Sequence, residues 1–355
     1  MKRNLLALAL LASLAGTAFA QSNVTIYGIV DNGFIKETGS DITMGQNVLN
    51  RIGFKGSEDL GRGYKATFQL EKRFTLNDGA PTGVEWDGAA NVGIAGPFGA
   101  VRLGRVNELP TETFRKLDPF NQESVGSMLL GSLRSARISN TIRYDSPNFS
   151  GFRFGASYSL GENTDKDSRN ETGTRLKLAD ADNDGYAISL KYANGPLYAV
   201  ANWSRLADSN DSAVWNLGAF YKFGPAKVSL GYEKTHDKGY KLGSEKALKE
   251  STQDNWILGL QYAIGAGRIN ASFNYMEIDH ARDWDGTKDI KKYSLGYEYD
   301  LSKRTTLYAM ISHSDFEDTE LSHSVSGFYR KNKESDTIAT NDHITGIQFG
   351  MTHRF

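Results

Sequence analysis

The C-terminal run Thr345-Gly346-Ile347-Gln348-Phe349-Gly350-Met351-Thr352-His353-Arg354-Phe355 decides the fold. Its odd positions are mostly large and apolar (Ile347, Phe349, Met351, Phe355), and its even positions are small or polar. A period of two is the mark of a β-strand with a greasy environment on one face and a wet one on the other. The alternation runs to the last residue, so the strand is expected to be sealed into a sheet at the terminus itself.

The other end carries the signs of export. Lys2 and Arg3 precede an apolar stretch from Leu5 to Leu14, and Ala18-Phe19-Ala20 has the small-x-small form of a cleavage site. This predicts a signal peptide over 1–20 and a mature chain over 21–355 that starts at Gln21. Without Lys2 and Arg3, 39 of the 41 basic residues remain against 42 acidic ones. That small excess of negative charge argues against a nucleic-acid partner. There is no cysteine, hence no disulfide framework and no thiolate site. No metal or cofactor is expected. After the signal, no window of about 18 apolar residues remains, which excludes helical spans.

The mature sequence divides into strand-like runs separated alternately by tight turns and longer polar connections. The tight turns fall at 59–63, 96–99, 146–151, 194–196, 224–225, 265–267 and 300–303, in clusters of Gly, Pro, Asn and Asp. The longer connections fall near 38–46, 77–85, 107–136, 161–183, 207–211, 237–252, 280–288 and 317–342. Seven turns and eight loops join sixteen strands, an even number as outer-membrane barrels require.

Within the runs the pattern repeats. Trp256, Leu258, Leu260 and Tyr262 share one face, and Ile269, Ala271, Phe273 and Tyr275 alternate with Asn270, Ser272 and Asn274. Asn, Gln, Ser, Glu and Arg recur on the second face, so the interior must be wet. Tyr and Phe recur at strand ends, where an aromatic girdle meets the lipid interface. The expectation is an all-β fold: a 16-stranded antiparallel transmembrane β-barrel, wide enough to hold an aqueous channel.

Four motifs, in order along the chain, carry a family resemblance. They are Ile52-Gly53-Phe54-Lys55-Gly56-Ser57-Glu58-Asp59-Leu60-Gly61, Gly96-Pro97-Phe98-Gly99-Ala100-Val101-Arg102-Leu103-Gly104-Arg105, Arg143-Tyr144-Asp145-Ser146-Pro147-Asn148-Phe149 and His353-Arg354-Phe355. The sequence resembles the Gram-negative general diffusion porins over its whole mature length. The resemblance implies a trimer in the outer membrane that passes small hydrophilic solutes and ions passively. It also implies that Phe355 is the signal read by the barrel-assembly machinery.

In that family the third long loop folds into the barrel and narrows it; here that is the connection over about 107–136. The resemblance assigns the constriction's acidic side to Asp118, with Glu112 and Glu123 as further acids of the loop. It assigns the facing basic wall to Arg51 and Arg137. Strand parity adds Lys65, Arg73 and Arg102, since charges facing lipid at mid-membrane cost about 2–4 kcal/mol each. Parity also places Ile138, Ile142 and Tyr144 toward lipid, with Arg137 and Arg143 inward. Two departures stand out: Gly88 where the family often has an arginine, expected to widen the opening or weaken its positive wall, and Ile29 where some relatives carry a lysine. Outward Ile26, Val30, Ile52, Phe54 and Phe68, with the loop near 77–85, are the expected subunit contact.

Other readings compete. Asp180-Ala181-Asp182-Asn183-Asp184-Gly185 matches half of a calcium loop, but its twelfth position is Lys191 rather than glutamate. The six histidines form no recognisable base–nucleophile set, so an enzyme is not expected. Acidic loop residues can hold divalent cations that bridge lipopolysaccharide. A substrate-selective channel with an aromatic track is the alternative to a general pore.

Overall fold

The computed structural model describes residues 23–83, 85–120, 124–129, 137–161, 176–177, 183–207, 209, 211–238, 241–242, 250–281, 284–317 and 342–355. The expected signal peptide over 1–20, Glu123, most of the 161–183 and 317–342 connections, and Asp180 to Asp182 lie outside them.

Sixteen strands close into one antiparallel barrel. They are β1 (Asn23–Glu37), β2 (Arg51–Gly61), β3 (Tyr64–Arg73), β4 (Ala89–Gly96), β5 (Gly99–Asn107), β6 (Arg137–Asp145), β7 (Phe152–Ser159) and β8 (Gly185–Asn194). The second half comprises β9 (Leu197–Arg205), β10 (Ala213–Phe223), β11 (Ala226–Asp237), β12 (Ser251–Ile264), β13 (Gly267–Ala281), β14 (Trp284–Asp300), β15 (Thr305–Phe316) and β16 (His343–Arg354). Each strand pairs with its sequence neighbours, and β1 closes the ring on β16, from Ile29 opposite Arg354 to Glu37 opposite Gly346. The Phe355 backbone completes the seam: its N–H donates to Gly28 and its carbonyl accepts from Gly28. A small extra strand, Thr43–Gly45, pairs with β1 inside the first long connection.

The alternation divides cleanly between the two faces. On β12, Trp256, Leu258, Leu260 and Tyr262 are exposed, while Gln253, Asn255 and Ile257, on the alternate positions, are buried. On β16, Ile347, Phe349 and Met351 are exposed, and Gln348 and Thr352 are buried. An apolar belt that encircles the molecule is far larger than the patches a water-soluble surface tolerates. Lipid is the environment that satisfies it, and the closed ladder leaves no backbone edge unpaired there. Exposed aromatics mark its margins: Tyr64, Phe98, Tyr221, Tyr262 and Tyr299 toward the short turns, and Tyr186, Trp203, Trp215, Trp256 and Tyr293 toward the long loops.

The third long connection packs against the inner wall. Glu108 caps a short helix, α1 (Leu109–Phe114), by accepting the Thr111 N–H at 2.9 Å, and Pro110 occupies its first turn. A 3₁₀ turn, Arg115–Leu117, follows. The loop's backbone groups, which water would otherwise satisfy, find partners on the wall. Tyr198 Oη donates to the Thr113 carbonyl (3.0 Å), Ser229 Oγ to Leu117 (2.6 Å) and Gln261 Nε2 to Pro119 (3.0 Å). Asn255 Nδ2 donates to Leu129 (2.9 Å), and Gln348 Oε1 accepts the Val125 N–H (3.0 Å). Phe114, Leu117 and Met128 are buried against Tyr198, Val200 and Ile257. Close approach is possible because glycines face the loop: Gly218 and Gly231 lie beneath Leu117, Gly259 beneath Pro119 and Gly296 beneath Phe120.

Two expectations need correction. The connection placed at 280–288 is shorter, because β13 runs to Ala281 and β14 starts at Trp284. Ile138, assigned to the lipid face, instead packs on the buried pair Leu206 and Val214. A bulge is the reason: Asn140 has a positive φ of 49°, and the register against β5 slips between Gly104 and Val106. Unbroken parity from Ile142 to Ile138 therefore does not hold, although Ile142 itself is exposed.

Candidate functional site

Between the docked loop and the facing wall lies an open gap of about 440 Å³, the candidate passage. From β2 to β6 the wall contributes Arg51, Arg73, Arg102 and Arg137, together with Glu71; the loop contributes Glu112, Arg115 and Lys116. Six cations thus face two carboxylates.

Most of these side chains are held in place. Arg51 Nε donates to the Leu49 carbonyl at 3.0 Å. Arg73 is buried and paired with Glu71, whose Oε1 lies 2.8 Å from its Nε. Arg137 Nε donates to the Gly88 carbonyl at 3.0 Å, and Arg102 pairs with Asp145. Gly88 leaves no hole: a methyl placed there would stand 2.3 Å from Glu71 Oε1 and 2.9 Å from Arg73 Nε. The Glu71–Arg73 pair thus stands where a side chain at 88 would begin.

Glu112 reaches the passage as expected, but Arg143 holds it. Arg143 is fully buried and forks onto Glu112 (2.7 and 3.2 Å), while its other edge holds Asp145 (3.0 and 2.8 Å). Burial pushes the Glu112 carboxyl up, but the charge and hydrogen bonds of Arg143 outweigh it and keep the group below the usual carboxylate range. Glu112 therefore stays ionised and largely neutralised at the wall.

Asp118 turns away from the opening. It is buried, and its two oxygens accept the N–H groups of Phe120 (2.9 Å) and Met128 (3.1 Å), which folds the loop back on itself. Burial pushes its carboxyl up to about 6, against the pull of those two hydrogen bonds. Lys65 shares the wet parity of β3 but sits beside the short turn at Arg62, some 26 Å of strand below Arg73 at about 3.3 Å per residue. The passage therefore does not bring Asp118 or Lys65 together with the arginines.

Sequence reasoning left out of the site Arg143, Arg115, Lys116 and Glu71. Arg143 and Asp145 carried a readable signal, since residues two apart on a strand share a face. Arg115 and Lys116 lie in the loop read for its acids, and only docking shows which way they point.

An apolar belt around a polar, charge-lined lumen defines an outer-membrane channel built as a β-barrel. The chain belongs to the Gram-negative porin family, whose model matches residues 7–319. It is 32% identical to an outer membrane porin protein of Bordetella pertussis, across 88% of this chain and 94% of that protein. Among solved structures, the anion-selective porin from Comamonas acidovorans superposes with a TM-score of 0.73 at 25% identity, across 94% of this chain and all of that one. The outer membrane protein OmpT of Vibrio cholerae, in its trimer form, shares the fold at a TM-score of 0.65 and 12% identity, across 94% of this chain and 99% of that one. The protein resides in the outer membrane, and its matched relatives are porins rather than enzymes.

Proposed function

We propose that the protein is a general diffusion pore with a preference for anions. The observation that carries this is the imbalance in the passage, six cations against two carboxylates, with Glu112 already committed to Arg143. Fixed charge of one sign in a narrow wet gap raises the local concentration of the opposite ion. Arg51, Arg115, Lys116 and Arg137 contribute to that field, while Arg73 is largely offset by Glu71 and Arg102 by Asp145. Small polar solutes pass by aligning their dipoles within it, and apolar ones are held back by the ordered water they must displace. Flux follows the gradient and no energy is consumed.

In this reading the loop from Glu108 to Leu129 sets the size limit, and its own Arg115 and Lys116 share the basic role with the wall. On this reading the passage is basic on both sides rather than acidic on the side of the loop. Assembly as a homotrimer through the outer faces of the first strands is supported by the family's known trimers. Lipopolysaccharide surrounding the barrel, recognition of Phe355 by the assembly machinery, and removal of residues 1–20 complete the proposal. The deciding experiment is single-channel recording of the refolded protein under a salt gradient. A reversal potential on the anion side, in conductance steps grouped by three, supports it. Cation-selective steps sink the charge argument, and silent barrels sink the pore.

A further inference from the structure

Between the central passage and the short-turn end, the wet face of β7 to β11 sets cations against one another. Arg153 on β7 lies directly opposite Lys191 on β8, and Lys222 on β10 directly opposite Lys227 on β11. The flanking Phe152, Phe154, Leu190, Tyr221 and Phe223 are exposed on the lipid side, so both pairs point inward. Like charges directly opposite each other weaken a sheet.

Between the two pairs, Tyr198 and Phe220 are cross-strand partners, stacked with centroids 4.9 Å apart and planes at 15°. Three ammonium groups gather on this platform. Lys116 Nζ, from the loop, lies 5.4 Å from the Tyr198 centroid, and those of Lys222 and Lys227 lie 5.6 and 5.0 Å from the Phe220 centroid. Lys227 Nζ is also 3.5 Å from the Lys116 carbonyl oxygen. The ring faces attract each ammonium, which offsets part of the repulsion among them. None of the three lysines is ion-paired to a carboxylate among the described residues, although the buried Asp118 lies close enough for its charge to act on Lys227. Glu112 and Asp145, the carboxylates that act on neighbouring Lys191, are bound to Arg143 and Arg102.

We propose that Lys116, Lys222 and Lys227, on the Tyr198–Phe220 platform, form a second anion station on the short-turn side of the passage, which takes a phosphate-type oxyanion. Several ammonium groups converging from different elements suit an anion with several acceptor oxygens and two charges better than chloride. Lys116 lines the central passage as well, so it hands the anion from one site to the other. The proposal rests on the pore reading only for the route by which the anion arrives; binding itself needs no conduction.

The test is therefore a binding measurement, with conduction as a second readout. Inorganic phosphate is titrated into the detergent-solubilised, folded protein and followed by ³¹P line broadening, with chloride as competitor. Saturable binding is expected, weakened at least tenfold in Lys222→Gln/Lys227→Gln and restored in Lys222→Arg/Lys227→Arg. Arg51→Gln should shift the reversal potential in bilayers yet leave phosphate binding intact. Phosphate should also block chloride current more strongly from the short-turn side. Binding that is unsaturable, equally displaced by equimolar chloride, or unchanged in the double glutamine variant overturns the station. A protein that binds phosphate but conducts nothing would overturn the pore and leave the station standing.

Discussion

The two halves of the barrel's inner wall are built from the same alternating strands and put to opposite uses. From β2 to β6 the wet face carries Arg51, Arg73, Arg102, Arg137 and Arg143 and stays open to the passage or grips the edge of the loop. From β9 to β16 it carries Asn202, Ser229, Asn255, Gln261 and Gln348 beside Gly218, Gly231, Gly259 and Gly296, and the loop covers it. Long charged side chains keep one wall wet. Short polar ones, with gaps between them, make the other a bed for backbone. The position of the loop is thus written into the wall it lies on as much as into the loop.

If the charged wall grips the loop through Arg143, removing that grip should have the largest effect. Arg143→Ala leaves Glu112 and Asp145 without their shared cation, and breaking a buried pair from one side costs about 3–5 kcal/mol. Both carboxylates keep roughly 30% of their side-chain surface exposed, so the lower end of that range is expected. The denaturant midpoint should fall accordingly, and α1 should lose protection from proteolysis before the barrel does. An unchanged midpoint would mean that the bed alone holds the loop.

The bed itself is tested next. At Gly218 an added methyl would stand 2.3 Å from Leu117 Cδ1 and 2.7 Å from the Leu230 carbonyl oxygen, so one of them must move. Gly218→Val should cost about 1–3 kcal/mol by overpacking. It should also lift the loop, raising single-channel conductance and admitting larger sugars in a liposome-swelling assay. Lost stability with unchanged conductance would show that the loop relaxes in place.

These two regions differ equally in how far the sequence disclosed them. The barrel and its strand number were legible because lipid enforces a strict period of two, and each violation is costly. Arg73 and Arg102 were placed by that parity, and Arg51, assigned by the family resemblance, agrees with it. The loop obeys no such period. Asp118 and Glu112 look alike in sequence, yet one turns inward to close the backbone at Phe120 and Met128 while the other meets an arginine from a distant strand. Lys65 had the right parity, but parity says nothing about height. The bulge at Asn140 shows the remaining limit, since one residue in a left-handed conformation breaks the alternation between the residues before it and those after it.

A smaller effect comes from pH, through the loop rather than the wall. The Asp118 carboxyl ionises near 3.8 in an unfolded chain and near 6 in the folded one. Between those values the folded state holds more protons, so stability is greater on the acid side and declines as pH rises through about 6. The slope is at most about 1.4 kcal/mol per pH unit and vanishes outside that window. Denaturation midpoints from pH 4 to 7 should show the decline, and Asp118→Asn, which keeps an acceptor but cannot ionise, should flatten it. A decline that persists in the asparagine variant would assign the titration to another group.

The smallest change probes a single stitch of the bed. Ser229 Oγ donates to the Leu117 carbonyl at 2.6 Å, where the 3₁₀ turn comes down on β11. Ser229→Ala removes the donor and leaves that carbonyl buried, at a cost of about 1 kcal/mol. The glycines on either side still admit Leu117, so conductance and selectivity should hold while the midpoint drops slightly. Set beside Gly218→Val, this separates two ways a bed can hold a loop. If the serine matters more than the glycine, hydrogen bonds position the loop and the gaps merely permit it. If the glycine matters more, shape decides, and the polar side chains of that wall serve chiefly to leave no buried backbone group without a partner.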